Sequence, residues 1–197
     1  MILGQCGLEY TGNLGRVRSL GGDAQMLARP VDPMTPGLTA AYVDAKYTQT
    51  ACATAEVVCT GTNATASPVV SAGGRLVGAP WSFTATADYE FQPVSGWKPY
   101  LHLDYTYTTR QTALLAIQDP RNGVSDPTLS GLPQTKELSL RSGMRWEGLD
   151  VSLFAKNLFD QHAVLVENRD FAASYVTLYW QRSVAPRTVG LTVSYRY

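Results

Sequence analysis

Trp81-Ser82-Phe83-Thr84-Ala85-Thr86-Ala87-Asp88-Tyr89-Glu90-Phe91 alternates between apolar and polar side chains without a break. Trp81, Phe83, Ala85, Ala87, Tyr89 and Phe91 share one parity; Ser82, Thr84, Thr86, Asp88 and Glu90 share the other. Successive strand side chains point to opposite faces, so the stretch predicts a strand with one apolar and one polar face. The same split recurs downstream. Leu101, Leu103, Tyr105 and Tyr107 oppose His102, Asp104, Thr106 and Thr108. Leu138, Leu140, Met144 and Trp146 oppose Glu137, Ser139, Arg141 and Arg145. Val151, Leu153 and Ala155 oppose Ser152 and Lys156, with Phe154 as an apolar intruder on the polar side. Val189, Leu191, Val193, Tyr195 and Tyr197 oppose Thr188, Gly190, Thr192, Ser194 and Arg196. Upstream, Leu20, Ala24, Met26 and Ala28 oppose Ser19, Asp23 and Gln25, while Leu38, Ala40 and Tyr42 begin an alternation that fails at Asp44. The fold class expected is all-β, with seven strands and no segment of helical period.

Composition narrows the class. The 197 residues carry 16 Lys plus Arg against 16 Asp plus Glu, a balance that excludes the basic excess of a nucleic-acid-binding chain. Charged residues make up 16%, below the roughly 25% of ordinary soluble domains. No apolar run reaches the ~18 residues that a spanning helix needs. The apolar 45% is dispersed rather than blocked, and mean hydropathy is only −0.10. Aromatic and β-branched content is high enough to oppose disorder. Met1-Ile2-Leu3 runs straight into Gly4-Gln5-Cys6, which lacks the basic, apolar and cleavage regions of a signal peptide.

The connections alternate in length. Short links fall at residues 29–37, 92–97 and 147–150, where Pro, Gly and Asp supply turn chemistry. Long links fall at 48–80, 109–134 and 160–186. Short turns at one end and long loops at the other are the habit of antiparallel transmembrane β-barrels. Aromatic residues gather toward strand ends (Trp81, Tyr89, Phe91, Tyr105, Tyr107, Trp146, Tyr195, Tyr197), as interfacial girdles require. The competing reading is a soluble β-sandwich whose apolar face is core. Asp88, Glu90, His102, Asp104, Glu137, Arg141, Arg145, Lys156 and Arg196 on the polar parity suit a water-filled lumen and would be costly against lipid. The bland reading of each is a solvated or cross-strand-paired side chain.

Chemical motifs are sparse. There is no Gly-rich phosphate loop, Cys-x-x-Cys or His-Glu-x-x-His, and no nucleophile elbow. His102 beside Asp104 could join a serine in a hydrolase, and Asp88, Glu90, His102 and Asp104 could approach a metal from adjacent strands; both are weaker readings than a hydrogen-bonding lumen residue. Neither a catalytic residue nor a metal or cofactor is expected. Cys52 and Cys59 are candidates for a disulfide in an oxidising compartment, free thiols being the alternative, and Cys6 has no evident partner. Tyr175, Tyr179, Trp180 and Arg182 in the last long link are candidate ligand contacts, because exposed aromatics with Arg make good binding material; the alternative is that Tyr179 and Trp180 belong to a strand extending beyond the membrane.

Four motifs carry a family resemblance. Val151-Ser152-Leu153-Phe154-Ala155-Lys156-Asn157-Leu158-Phe159-Asp160 resembles the penultimate strand of TonB-dependent outer-membrane receptors, with its closing Asn157-Leu158-Phe159-Asp160 signature. Pro186-Arg187-Thr188-Val189-Gly190-Leu191, leading to Tyr195-Arg196-Tyr197, is similar to that family's final strand with its terminal aromatic. Gly78-Ala79-Pro80-Trp81-Ser82 resembles the approach to an earlier strand. Asn13-Leu14-Gly15-Arg16-Val17-Arg18-Ser19-Leu20-Gly21 resembles an Asn-x-Gly-x-x-Arg-Ser-x-Gly pattern, followed here by Gly22-Asp23 where the family has Val-Glu.

The resemblance implies that residues 1–197 form the C-terminal portion of a barrel of about 22 strands, with the plug domain and signal peptide absent. It implies long links at the cell surface, short turns in the periplasm, and a bacterial outer-membrane location. The implied function is TonB-energised uptake of a scarce nutrient such as a ferric siderophore, without enzymatic chemistry. Implied partners are outer-membrane lipid, the remaining plug and N-terminal strands, TonB through the missing N-terminal part, and the barrel-assembly machinery, which would read Tyr195 and Tyr197. The alternatives are a self-sufficient small barrel acting as pore or adhesin, an outer-membrane hydrolase, and a soluble sandwich module.

Overall fold

The computed structural model describes residues 15–52, 68–76, 78–111, 118, 126–129, 131–171 and 177–197. Among them there is no α-helix, and the chain is all-β. The strands are β1 Val17–Leu27, β2 Met34–Tyr47, β3 Ala51–Cys52, β4 Pro68–Val70, β5 Trp81–Glu90, β6 Lys98–Thr108, β7 Thr135–Trp146, β8 Leu149–Lys156, β9 Val164–Phe171, β10 Thr177–Ser183 and β11 Thr188–Tyr195. Seven build one antiparallel sheet in the order β1-β2-β5-β6-β7-β8-β11. These are the seven expected from alternation. β3–β4 and β9–β10 form separate two-stranded ribbons inside two of the long links. Among the described residues the sheet does not close into a barrel.

Two compact units divide the chain. One gathers residues 1–20, 43–78 and 111–131. In it the end of β2 is lengthened by a neighbouring segment: Tyr47 exchanges backbone hydrogen bonds with Gly73 and Gly74, and Leu76 N–H donates to Ala45 O. Asp44, where the alternation was expected to fail, therefore lies inside β2. Its carboxylate is held by Lys46 at 2.7 Å and faces Arg75 at 3.7 Å. A carboxylate with cations at hand does not end a strand.

The other unit gathers residues 21–42, 79–110 and 132–197 and contains most of the sheet. The pairings β2–β5, β5–β6, β6–β7, β7–β8 and β8–β11 run without a register shift. Parity is thus conserved from strand to strand. Pro36, Ala87, Leu103, Leu140, Ala155 and Val189 form one continuous apolar row. Met34, Tyr89, Leu101, Ser142, Leu153 and Leu191 form the next. On the opposite face, Asp88, His102, Arg141, Phe154 and Gly190 are consecutive neighbours, as are Glu90, Tyr100, Gly143, Ser152 and Thr192.

Two short turns are hairpins of primed type. Ser95 and Gly96 have φ of 50° and 85°, and Glu147 and Gly148 have 41° and 88°. Positive φ at both central residues matches the right-handed twist of the flanking strands. At Gly148 a side chain is excluded twice, by φ and by the Arg196 carbonyl against which its Cβ would press.

The apolar intruder Phe154 has a physical reason. Its ring lies over Gly190, where a Cβ would sit 2.5 Å from Cζ. Tyr100 lies likewise over Gly143, where a Cβ would come within 2.6 Å of the ring and 2.8 Å of the Ser152 Cβ. Each aromatic covers a bare stretch of the neighbouring backbone on the polar face. Gly143→Ala and Gly190→Ala are each expected to cost about 1–3 kcal/mol by overpacking. In denaturation followed by circular dichroism, the Phe154→Ala/Gly190→Ala pair should lose less than the sum of its single variants.

Candidate functional site

Three features stand out on the larger unit: the apolar face, the polar face, and the corner from which the last ribbon leaves the sheet.

The apolar face is banded. Toward the long-link end Tyr42, Trp81, Phe83 and Tyr107 form a chain of ring contacts with centroids 4.6, 5.7 and 6.1 Å apart. Phe159 closes edge-on against Tyr105 at 6.3 Å. Toward the short-turn end Tyr89 meets Phe91 at 4.7 Å and Trp97 stacks on Trp146 at 5.6 Å. Tyr195, opposite Leu149, continues this second group, and Tyr197 is exposed beyond it. Between the groups the rows are aliphatic, with Ser142 their single polar side chain. Ten residues separate Trp81 from Phe91, about 33 Å along a strand. Along β8 and β11 the band is open: Leu153, Val189, Leu191 and Val193 are each at least 60% exposed, while Leu101, Leu103, Leu138 and Leu140 on the middle strands are half-buried.

The polar face carries a charged cluster. His102 Nδ1 lies 2.7 Å from Asp88 Oδ1 across the β5–β6 pair. The partner of His102 is therefore Asp88 and not Asp104, two residues away on its own strand. Tyr100, only 8% exposed, donates its hydroxyl to Asp150 at 2.9 Å. Arg145 Nε donates to the other Asp150 oxygen at 3.3 Å, its guanidinium lies 4.2 Å from the Tyr100 ring centre, and Glu90 stands 3.6 Å away. Arg141 reaches Ser152 Oγ at 3.5 Å and the Phe154 ring at 5.8 Å. Exposed pairs of this kind contribute at most about 1 kcal/mol each. They make the face hydrophilic more than they make the sheet stable. No serine hydroxyl bonds to His102, and no three metal-ligating side chains converge among the described residues. A shallow depression lined by Leu27, Gly37, Thr84 and Thr86 near β1 holds no titratable group.

The corner is built from the Asn157-Leu158-Phe159-Asp160 stretch. Asn157 and Asp160 have φ of 50° and 52°, a left-handed conformation that Asn and Asp tolerate best after Gly. Asn157 is 3% exposed and fully engaged: Nδ2 donates to Gln161 O at 3.0 Å and Ala185 O at 2.8 Å, and Oδ1 accepts from Gln161 N–H at 3.0 Å. Leu158 N–H donates to Leu138 O, joining β8 to β7. Asp160 Oδ1 accepts from Arg187 N–H at 3.1 Å, and its other oxygen faces the Arg187 guanidinium at 3.6 Å. One motif thus ties β7, β8 and the entry to β11 together, and sends Phe159 to the aromatic group. The alternation pattern could not reveal Gln161, which lies one residue past the motif. It accepts from Lys136 N–H and donates to Gln134 O.

The last ribbon sorts the candidate ligand contacts. Register pairs Trp180 with Asn168, Arg182 with Val166 and Leu178 with Asp170, so Leu178, Trp180, Arg182 and Val166 share one face. Tyr179 takes the other, with Gln181 and Glu167, which are bonded at 2.8 Å. The structure brings Trp180 and Arg182 together and separates Tyr179 from them. Tyr175, Cys6 and Cys59 lie outside the described residues, as does the side chain of Cys52, so the Cys52–Cys59 pairing does too. No family model, curated protein or solved structure matches the chain.

Asn157→Ala would leave three backbone groups unpaired at a buried corner and is expected to cost about 2–3 kcal/mol. Arg145→Met, in the exposed cluster, should cost under about 1 kcal/mol. Equilibrium denaturation of the two variants checks the contrast.

Proposed function

We propose that this chain is a segment of an antiparallel transmembrane barrel, the C-terminal part of a TonB-dependent receptor in a bacterial outer membrane. The observation that carries the transmembrane reading is the banded apolar face, open along β8 and β11. A strand tilted by about 45° projects the 33 Å from Trp81 to Phe91 onto about 23 Å, close to the ~25 Å apolar band of outer-membrane barrels with an aromatic girdle at each border. Lipid covers such a face at no cost, whereas water does not. A sheet of this kind ends in two edges, whose unpaired backbone groups cost several kcal/mol each in hydrocarbon. The remaining strands of a larger barrel satisfy them.

The receptor reading rests on the motif order Asn157 to Asp160, then Pro186 to Tyr197. In it, the charged polar face lines the lumen, the plug domain occupies that lumen, and TonB acts through a separate N-terminal part. Trp180, Arg182 and Tyr179 on the last ribbon, with Tyr175, contribute to contact with a scarce nutrient at the cell surface. Tyr195 and Tyr197 serve as the mark read by the barrel-assembly machinery. No bond is made or broken and no nucleic acid is bound.

Quenching of tryptophan by lipids brominated on their acyl chains tests the membrane reading. Strong quenching of Trp81, Trp97 and Trp146 is expected in vesicles, while a chain that folds in buffer and ignores the vesicles would sink the reading. Leu140→Arg, in mid-band, should destabilise the lipid-inserted form by about 2–4 kcal/mol, and the polar-face Ser139→Arg by far less. For the receptor reading, an antibody against residues 188–197 should detect, in isolated outer membranes, a band several-fold larger than 21.4 kDa. A membrane band at 21.4 kDa would favour the self-sufficient small barrel instead.

A further inference from the structure

The described residues contain few buried side chains, and several of them crowd one spot. Ala163 is 7% exposed, Val184 3% and Asn157 3%, with Thr135 at 8% on the adjoining start of β7. Ala163 and Val184 stand at the foot of the β9–β10 ribbon, where Val184 N–H donates to Ala163 O at 2.9 Å. Gln161 adds a bond at every polar group it has. Its backbone N–H and C=O are held by Asn157, its Oε1 by Lys136 N–H, and its Nε2 by Gln134 O at 3.2 Å. Gln134 is itself anchored by the Tyr107 hydroxyl at 3.1 Å. Asn157 reaches across to Ala185 O on the other leg of the ribbon. Both legs are therefore fastened, one by Gln161 and one by Ala185, to the same buried amide.

A long connecting link does not need this. A mobile loop would be fastened weakly at its ends, and its ordering entropy would be lost when it met a ligand. Here the bonding is concentrated where a small rotation would swing the far end of a ribbon that reaches seven strand residues from Ser183 to Thr177. We propose that Asn157 and Gln161 are positioning residues that fix the angle at which β9–β10 leaves the sheet. The Leu178, Trp180, Arg182 and Val166 face is then presented preorganised to whatever it binds. The functional meaning rests on the ligand-contact reading above; the lock itself does not.

Hydrogen exchange on the intact chain, measured without ligand, separates the two. Gln161→Ala removes both side-chain bonds while leaving a small, partly exposed position, so folding is preserved. Amides of β9 and β10 should exchange about ten-fold faster, while those of β5 and β6 stay unchanged. Gln161→Glu keeps the acceptor for Lys136 N–H and should fall between the wild type and Gln161→Ala. Asn157→Ala should release both legs and give the larger effect on the ribbon. Unchanged ribbon exchange in Gln161→Ala would overturn the proposal. So would an equal rise across β5 to β8, since that marks a merely structural bond. A chain that fails the lipid-quenching test but keeps this exchange pattern would retain the lock and lose only its setting.

Discussion

Unbroken antiparallel register from β2 to β11 is the constraint on which everything else here depends. A strand's side chains alternate with period two, so a slip of one residue in any of these five pairings would exchange its two faces. Leu103, Leu140, Ala155 and Val189 would no longer share a row. His102 would meet an apolar neighbour in place of Asp88. The primed turns at Ser95-Gly96 and Glu147-Gly148 leave no spare residue for such a slip. The ring-over-glycine contacts at Gly143 and Gly190 resist it again from the polar face, because each needs one glycine opposite one aromatic.

The sheet was legible in the sequence because each of its strands segregates two environments. Trp81 to Phe91 and Thr188 to Tyr195 carry the alternation in plain form. The ribbon strands were less legible for the opposite physical reason, although a strand through Tyr179 and Trp180 was one reading of the last long link. β10 carries Leu178, Tyr179 and Trp180 in succession, all exposed, so neither parity is apolar and no period exists to read. In β2 the alternation breaks at Asp44, although the link after it is read as starting only at residue 48. Its continuation depends on Lys46 beside it and on a segment some thirty residues later in the chain. Phe154 looked like an error in the pattern until its partner, a glycine on a different strand, was placed beneath it.

The site was half legible in the same way. Asn157 and Asp160 stood out as members of a motif, yet motif spacing says nothing about which backbone groups they engage. Those groups, Ala185 O and Arg187 N–H, come from the far side of the last long link. For His102, spacing along the chain pointed to Asp104. Residues two apart on a strand are roughly 7 Å apart at Cα, whereas directly paired cross-strand residues approach to about 4.5–5.5 Å. Asp88 wins on distance, and only the register reveals it. The candidate contacts Trp180 and Tyr179 are adjacent in sequence and opposed in space for the same reason.

The polar face intersperses charges of both signs. Its strands β5 to β8 place Asp88, Glu90, Asp104, Glu137 and Asp150 against Lys98, Arg141, Arg145 and Lys156. Five carboxylates opposite four fixed cations leave almost no net charge, and Arg145 stands between Glu90 and Asp150. A face with interspersed signs holds water without drawing in one sign of ion, since steering needs a field of one sign over a wide area. The ribbon is different. Its Trp180 and Arg182 share a face with the apolar Val166 and Leu178 and with the register positions Asn168 and Asp170, while Glu167 lies on the opposite side, bonded to Gln181. The ribbon is set apart from the sheet by its foot, where one buried amide holds both legs.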